Sequence, residues 1–224
     1  MAKTATKLKP LTDEVEFFRD VEQLSDEWRN LRLGTITASS MSKVLAQGEG
    51  KVRAAYLRQL AGERLTGIPA EGFDTPAMAR GREMEGEARD WYSRTRFADC
   101  SPVGFVRRLV RCPLGTDFAV GCSPDSQTGP RKGLEIKTAR PDLLIEILER
   151  GAAGLPTEHR AQTQGTMWVC DWDAIDLVVF YRGMPTNAKF TVLRDDDYIA
   201  RLRDECERFD YDLRMLVEKI RRMG

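Results

Sequence analysis

The sequence contains only one histidine, His159, and its five cysteines include no closely spaced pair. A zinc centre built from several histidines is therefore excluded, and a serine or cysteine triad would depend on that single imidazole ring. The cysteine spacing also argues against a zinc ribbon, an iron–sulfur cluster and a disulfide framework. We therefore expect reduced thiols in this chain.

Two further absences concern net charge and long hydrophobic runs. The 35 basic residues are balanced by 35 acidic ones, so no overall basic field points to nucleic acid, and any DNA contact must be local. No stretch approaches the roughly 20 apolar residues of a membrane helix. The segment Met1–Pro10 lacks the apolar middle of a signal peptide. We therefore expect a cytoplasmic protein with no membrane partner.

What the chain does contain is the composition of an ordinary globular protein, with 42% hydrophobic and 31% charged residues. Its periodicity predicts an α/β (α+β) fold with a central mixed sheet flanked by helices. We expect one domain over residues 1–224, in which 1–24 are an N-terminal extension and 25–224 the core. The expected helices cover 25–34, 52–65, 77–96, 141–150, 157–169 and the end of the chain from 195, and the expected strands cover 103–111, 118–122, 134–137, 175–181 and 189–193.

The most informative motif is Pro124-Asp125 followed ten residues later by Glu135-Ile136-Lys137. Residues 127–133 are rich in residue types that reverse a backbone, so the two carboxylates can approach each other. On a strand, Glu135 and Lys137 share one face, while the apolar residues beside them face the other side. Two carboxylates and an ammonium can build a hard-metal phosphodiesterase site, so this motif points toward a nuclease.

The alternative interpretation of this motif is a solvated hairpin, because an acidic residue two positions before a lysine often arises by chance. Only nine of the basic residues are lysines, and just two, Lys51 and Lys137, have an acidic residue two positions earlier. Lys51 follows a glycine-flanked segment, whereas Lys137 ends an apolar-alternating run. Short motifs need structural confirmation, so on these residues alone both interpretations stay open.

Two other segments carry candidate polar groups. Thr37-Ala38-Ser39-Ser40 precedes an apolar-periodic run, so it is either a plain N-cap or a helix start whose free N–H groups bind an anion. In the helix expected over 77–96, Glu85 lies on a stripe that also carries apolar residues. Most charges on such a helix are solvated, and Glu85 is a candidate for a different role.

Four segments of the chain resemble, in order, the bacteriophage lambda exonuclease family, the YqaJ-type viral recombinases of the PD-(D/E)xK nuclease superfamily. They are WRNLRLGTITAS (28–39), GREMEGEAR (81–89), GCSPDS…LEIK (121–137) and AQTQGTMWV (161–169). The resemblance spans residues 28–169, and it implies a restriction-endonuclease-like core.

The resemblance implies an exonuclease that digests one strand of double-stranded DNA in the 5′ to 3′ direction. Such an enzyme starts at a 5′-phosphorylated end, releases mononucleotides and leaves a 3′ overhang for a single-strand annealing protein. It also implies a ring-shaped homotrimer, in a phage or prophage protein of the bacterial cytoplasm. Two Mg²⁺ ions, for which Mn²⁺ substitutes, would stabilise the attacking and leaving oxygens of the hydrolysis.

The matching motifs assign metal ligands to particular residues. Asp125 and Glu135 would hold Mg²⁺ together with the backbone carbonyl of Ile136. Glu85 would reach the second metal region. The resemblance implies these roles. For Glu85, it agrees with the earlier interpretation that this residue on the helix stripe has a role other than solvation.

The resemblance assigns the other roles to five residues. Lys137 would position or help deprotonate the attacking water, and Gln162 would orient that water or Lys137. Arg32 and Ser39 match the residues that grip the 5′-phosphate. Met78 aligns with an apolar wedge that parts the terminal base pair, and the alternative is that Met78 is a core methionine.

Other functions remain compatible with the same residues. The chemistry also serves sequence-specific endonucleases and helicase-associated nucleases, and a non-catalytic DNA-end-binding protein could keep the fold. Digestion of linear and of closed circular DNA separates these alternatives.

Overall fold

The computed structural model describes residues 12–46, 50–70, 76–112 and 115–224, apart from the side chains of residues 76–78. The helices are α1 (Asp26–Arg32), α2 (Met41–Val44), α3 (Lys51–Thr66), α4 (Pro76–Arg96), α5 (Pro141–Arg150), α6 (Thr157–Cys170) and α7 (Asp196–Arg221). The strands are β1 (Glu14–Phe18), β2 (Ile36–Thr37), β3 (Phe105–Val110), β4 (Phe118–Cys122), β5 (Ser126–Gly129), β6 (Lys132–Thr138), β7 (Ala174–Phe180) and β8 (Ala188–Leu193). None of the helices in these ranges combines the length and apolar character needed to span a bilayer.

Local capping chemistry explains several helix boundaries that the sequence predicts. Ser25 accepts a hydrogen bond from the N–H of Trp28 at the start of α1, and Asp195 accepts one from the N–H of Tyr198 at the start of α7. Helix α3 ends at Gly67, which adopts the left-handed conformation typical of a helix terminus. The predicted bounds of these helices are confirmed within a few residues.

The helix start expected at Thr37 is shorter than predicted. Ala38–Ser40 form a single 3-10 turn, and the α-helix that follows has only four residues. Thr37 makes no side-chain cap, and its N–H donates to the hydroxyl of Tyr56 at 3.3 Å. The predicted helix is therefore reduced to about two short turns, and the alternatives of a plain cap and an anion site stay predictions.

The strands confirm the mixed α/β class but divide into two four-stranded sheets. The first has the order β1-β3-β4-β2 and the second β5-β6-β7-β8. Strand β1, within the predicted N-terminal extension, was missed because it is an edge strand with an acidic outer face and is recognisable only through its antiparallel partner β3.

The second sheet carries the nuclease-like motif. Strands β5 and β6 form an antiparallel hairpin, β6 runs parallel to β7, and β8 closes the sheet. Strand β7 lies in the interior of the sheet, as its apolar sequence predicts.

Apolar packing fixes the helices around this sheet. Leu134 and Ile136 of β6 are buried in one cluster with Met84 and Ala88 of α4. This packing confirms the predicted alternation along β6, and it holds the middle of α4 directly against the strand. On the second sheet, Leu144 of α5 belongs to a separate apolar cluster.

Candidate active site

The β5–β6 hairpin brings Asp125 back to the strand that carries the rest of the motif. Ser126 pairs with Leu134 across the hairpin, and Asp125 Oδ2 accepts a hydrogen bond of 2.5 Å from the backbone N–H of Ile136. The predicted chain reversal between Asp125 and Glu135 is therefore confirmed.

Three of the predicted residues form a closed triangle of hydrogen bonds between β6 and α6. Lys137 Nζ donates to Glu135 Oε1 at 2.7 Å and to Gln162 Oε1 at 2.9 Å. Gln162 Nε2 donates to the same oxygen of Glu135 at 2.5 Å. Glu135 is only 4% exposed, so its carboxylate relies on these donors in place of bulk water.

Arg89 connects Glu85 of α4 to the turn that carries Asp125. Its Nη2 lies 2.5 Å from Glu85 Oε1 and 3.3 Å from the backbone oxygen of Asp125, and its Nε donates to Ser126 Oγ at 3.1 Å. The sequence analysis gave Arg89 no role. The Glu–Arg spacing of four residues on a helix was the available signal.

Glu135 and Glu85 lie close enough to Asp125 to affect its ionisation. Burial, followed by the negative charges of Glu135 and Glu85, raises the pKa of Asp125 well above its usual range. Burial opposes the charged form of Lys137, but the nearby Glu135 outweighs this and raises the pKa of the ammonium. Lys137 is therefore a protonated hydrogen-bond donor at neutral pH.

The donor set of this cluster fits a hard divalent cation. The charged form of Asp125 is disfavoured by two neighbouring carboxylates, and a bound cation relieves such repulsion. Within the described ranges, no three histidine, cysteine, aspartate or glutamate side chains form a metal-binding group. Mg²⁺ usually keeps several waters and takes only one or two carboxylates, so it needs no such group. The role of the Ile136 carbonyl stays a prediction.

A cleft of about 440 Å³ is lined by residues of α1, α3 and α4 and contains Arg32. The guanidinium carbon of Arg32 lies 4.2 Å from the ring centre of Trp28. Burial lowers the pKa of Arg32, and the guanidinium has no hydrogen-bond or ion-pair partner among the residues that the structure describes. An arginine that is partly buried and unpaired is suited to bind an anion.

Trp28 links this cleft to the Asp125 turn. Its indole Nε1 donates to Ser123 Oγ at 2.8 Å, and Ser123 lies two residues before Asp125. The sequence analysis did not single out Trp28 or Ser123. No local signal joins them, because they are 95 residues apart in the chain.

The other two predicted DNA contacts are Ser39 and Met78. Ser39 is exposed and does not line the cleft, although its hydroxyl lies 3.3 Å from that of Thr37, which does. The structure thus brings Ser39 near the cleft but not into contact with Arg32. Met78 lies on α4, and its side chain falls outside the described residues.

Comparison with known proteins identifies the family and the fold of this chain. Residues 27–173 match the YqaJ-like viral recombinase domain. The alkaline exonuclease LHK-Exo from Laribacter hongkongensis is 28% identical over 89% of this chain and 97% of its own, with TM-scores of 0.75 and, in its complex with dAMP, 0.76. A phage related exonuclease from Haemophilus somnus 129PT has the same fold, with 18% identity over 88% of this chain and 99% of that one and a TM-score of 0.60. No curated protein matches.

The mixed α/β fold and these matches define a nuclease of the exonuclease class. The chain belongs to the YqaJ-like viral recombinase family. The resemblance to lambda exonuclease-like proteins found in the sequence is thereby confirmed.

Proposed function

We propose that this nuclease is a divalent-metal-dependent exonuclease that digests one strand of double-stranded DNA from a 5′-phosphorylated end. The observation that carries the proposal is the connection of two sites. Arg32, which forms no hydrogen bond or ion pair with the described residues, stacks on Trp28, and Trp28 is hydrogen-bonded to the segment leading into Asp125. A terminal phosphate held at Arg32 would therefore lie at a fixed distance from the carboxylate cluster.

The residues of the cluster have complementary roles in hydrolysis. Asp125 and Glu135 would hold Mg²⁺, or Mn²⁺ in its place, and Glu85 would reach the second metal region. When bound, the metal would activate water and stabilise charge on the attacking and leaving oxygens. Lys137 would position the attacking water or help deprotonate it, and Gln162 Oε1 accepts a hydrogen bond from the Lys137 ammonium.

One relative supports the release of mononucleotides in this proposal. LHK-Exo is described as an alkaline exonuclease and forms a complex with dAMP. A mononucleotide is the expected product when the cut falls one nucleotide from a held 5′-phosphate. Each cut then creates the next 5′-phosphate, so digestion would proceed 5′ to 3′ and leave a 3′ overhang.

The assembly and the partners are proposed from the resemblance. A ring-shaped homotrimer around DNA would keep the enzyme on its substrate, and a single-strand annealing protein would receive the 3′ overhang in the bacterial cytoplasm. Sedimentation of the purified protein tests the trimer, because a protein that stays monomeric at assay concentrations contradicts it.

A time course on three DNA substrates tests the activity. We expect rapid release of mononucleotides from 5′-phosphorylated linear duplex, slower release from the 5′-hydroxyl duplex, no cutting of closed circular DNA, and no reaction in EDTA. Arg32→Ala should reduce the preference for the 5′-phosphate about 10- to 100-fold, because a charged hydrogen bond to phosphate is lost.

Arg150→Ala is the matched control, because it removes an exposed arginine whose partner is Glu146 on α5. It should leave the preference unchanged. Cleavage of closed circles would favour an endonuclease instead. Binding of DNA ends without degradation in Mg²⁺ or Mn²⁺ would favour a non-catalytic end-binding protein.

A further inference from the structure

Helix α3 holds the turn that follows Arg32 through hydrogen bonds to the N–H and the carbonyl of Gly34. Gly34 donates its N–H to Glu63 Oε2 at 2.8 Å, and its carbonyl accepts a hydrogen bond from Arg64 Nε at 2.9 Å. Gly34 has a φ of +62°, and a Cβ added there would lie 2.5 Å from Arg64 Cγ. The turn therefore requires glycine, both for its backbone conformation and for the close approach of Arg64.

Glu63 ties together three segments that line the cleft. Its carboxylate is almost buried, with the residue 7% exposed. Besides the N–H of Gly34, it accepts hydrogen bonds from Gln59 Nε2 at 3.1 Å and from the N–H of Ala70 at 3.4 Å. All three donors are neutral. A carboxylate accepts at both oxygens, whereas a glutamine would accept at one and present N–H groups to donors at the other.

A negative charge at this place needs an explanation, because a phosphate bound in the same cleft would be repelled by it. The explanation that the contacts support is positional, since Glu63 fixes the backbone next to Arg32. Arg64 completes this arrangement, because its Nη2 is paired at 2.8 Å with Asp210 of α7. Asp210 is itself buried, so the contact on Gly34 is anchored in the body of the protein.

We propose that Glu63 and Arg64 are positioning residues that set the discrimination between 5′-phosphate and 5′-hydroxyl ends. By holding both peptide groups of Gly34, they fix where the Arg32 guanidinium stands in the cleft. The inference rests on the proposed function, because it takes Arg32 to be the ligand of the terminal phosphate. It adds that the specificity depends on two residues that touch neither the phosphate nor the metal.

Binding of duplex DNA ends in EDTA tests this proposal without any contribution from cleavage. Fluorescence anisotropy gives the dissociation constants for duplexes that differ only in a 5′-phosphate or a 5′-hydroxyl. In Glu63→Gln we expect the preference for phosphate to fall about fivefold to tenfold, because a buried acceptor is lost, while the affinity for the hydroxyl end stays the same. A loss of packing alone would weaken both affinities together.

Arg64→Met is the second variant, and it acts on the other peptide group of Gly34. It should also lower the preference, which covers the case in which Glu63→Gln fails to fold. Asp212→Asn is the matched control, because Asp212 pairs with Arg53 between the same two helices without reaching Gly34. The control should keep the preference of the unchanged protein.

The outcomes separate this inference from the proposed function. If the unchanged protein prefers the 5′-phosphate and the folded Glu63→Gln and Arg64→Met variants keep that preference, the positioning role is contradicted and the Arg32 site stands. If the unchanged protein binds both ends equally, the Arg32 site is contradicted, and the positioning role is contradicted with it.

Discussion

The cluster around Glu135 and the cleft around Arg32 differ in how far their charges are satisfied within the chain. Glu135 receives hydrogen bonds from both Lys137 and Gln162. Within the part of the chain that the structure describes, Arg32 stacks on the ring of Trp28 without a hydrogen bond or ion pair, and the nearby backbone of Gly34 is held by helix α3. The two regions therefore differ in what fixes their charged groups. In the cluster, the charged side chains bind one another, whereas in the cleft the position of Arg32 depends on the residues next to it.

The largest effect is expected from removing the ammonium group of Lys137 from the cluster. Lys137→Met keeps the length of the side chain but removes the donor shared by Glu135 and Gln162. The rate of cleavage of 5′-phosphorylated duplex in Mg²⁺ should fall about 10³-fold, within the range for a positioned proton-transfer or charge-stabilising group. Single-turnover digestion measures this, and a rate equal to that of the unchanged protein would remove Lys137 from the mechanism.

Lys132→Met is the control on the same strand. Lys132 pairs with Asp176 at 2.8 Å and takes no part in the cluster. Compared at a temperature where both variants are folded, Lys132→Met should keep most of the cleavage rate. If both variants lose the activity equally, the loss is caused by a disturbance of strand β6 and not by the missing donor in the cluster.

A buried hydrogen-bond network joins strand β7 to helix α4 and strand β8. Asp176 of β7 is 1% exposed and accepts hydrogen bonds from Tyr92 at 2.7 Å and Thr191 at 2.6 Å. Burial alone would raise the pKa of Asp176, but hydrogen bonds from Lys132, Thr191 and Tyr92 outweigh it and lower the pKa to about 2. Tyr92 belongs to α4, so this network anchors the helix that carries Glu85.

Asp176→Asn should destabilise the protein by about 1–3 kcal/mol at pH 7, because one of the two oxygens that accept from Tyr92 and Thr191 becomes an N–H donor in a buried place. The folded pKa lies below the usual value of about 3.9, so the stabilisation from the charged Asp176 is complete above that pH. It is lost as the pH falls from about 4 toward 2. Urea unfolding from pH 7 to pH 2 measures both effects, and a variant as stable as the unchanged protein at pH 7 contradicts the prediction.

The cluster was accessible to sequence analysis because its signals are local. Glu135 and Lys137 are two residues apart on a strand, so their shared face follows from strand geometry alone. The turn residues between positions 127 and 133 predicted the return of Asp125, which the hairpin confirms. Glu85 was suspected from its helical stripe, whereas Gln162 entered only through the resemblance.

The cleft could not be predicted in the same way, because its contacts join distant parts of the chain. The bond of Trp28 to Ser123 spans 95 residues, and that of Gly34 to Glu63 spans 29. The short edge strand β1 was missed for the same reason, since only its pairing with β3 identifies it. The helix start expected at Thr37 is a 3-10 turn followed by a four-residue helix, and the anion site there stays a prediction.

The smallest expected effect concerns the contact that joins the two regions. Trp28→Phe keeps an aromatic ring under Arg32 but removes the indole N–H that donates to Ser123. The preference for 5′-phosphorylated over 5′-hydroxyl duplex should fall about threefold to tenfold, which is the loss of one ordinary hydrogen bond. Trp28→Ala removes the ring as well, so its effect on the same ratio of cleavage rates should be larger. If Trp28→Phe and Trp28→Ala lower the ratio equally, the ring contributes nothing beyond its N–H. The position of Arg32 would then be set by that hydrogen bond and by the backbone at Gly34, without the ring.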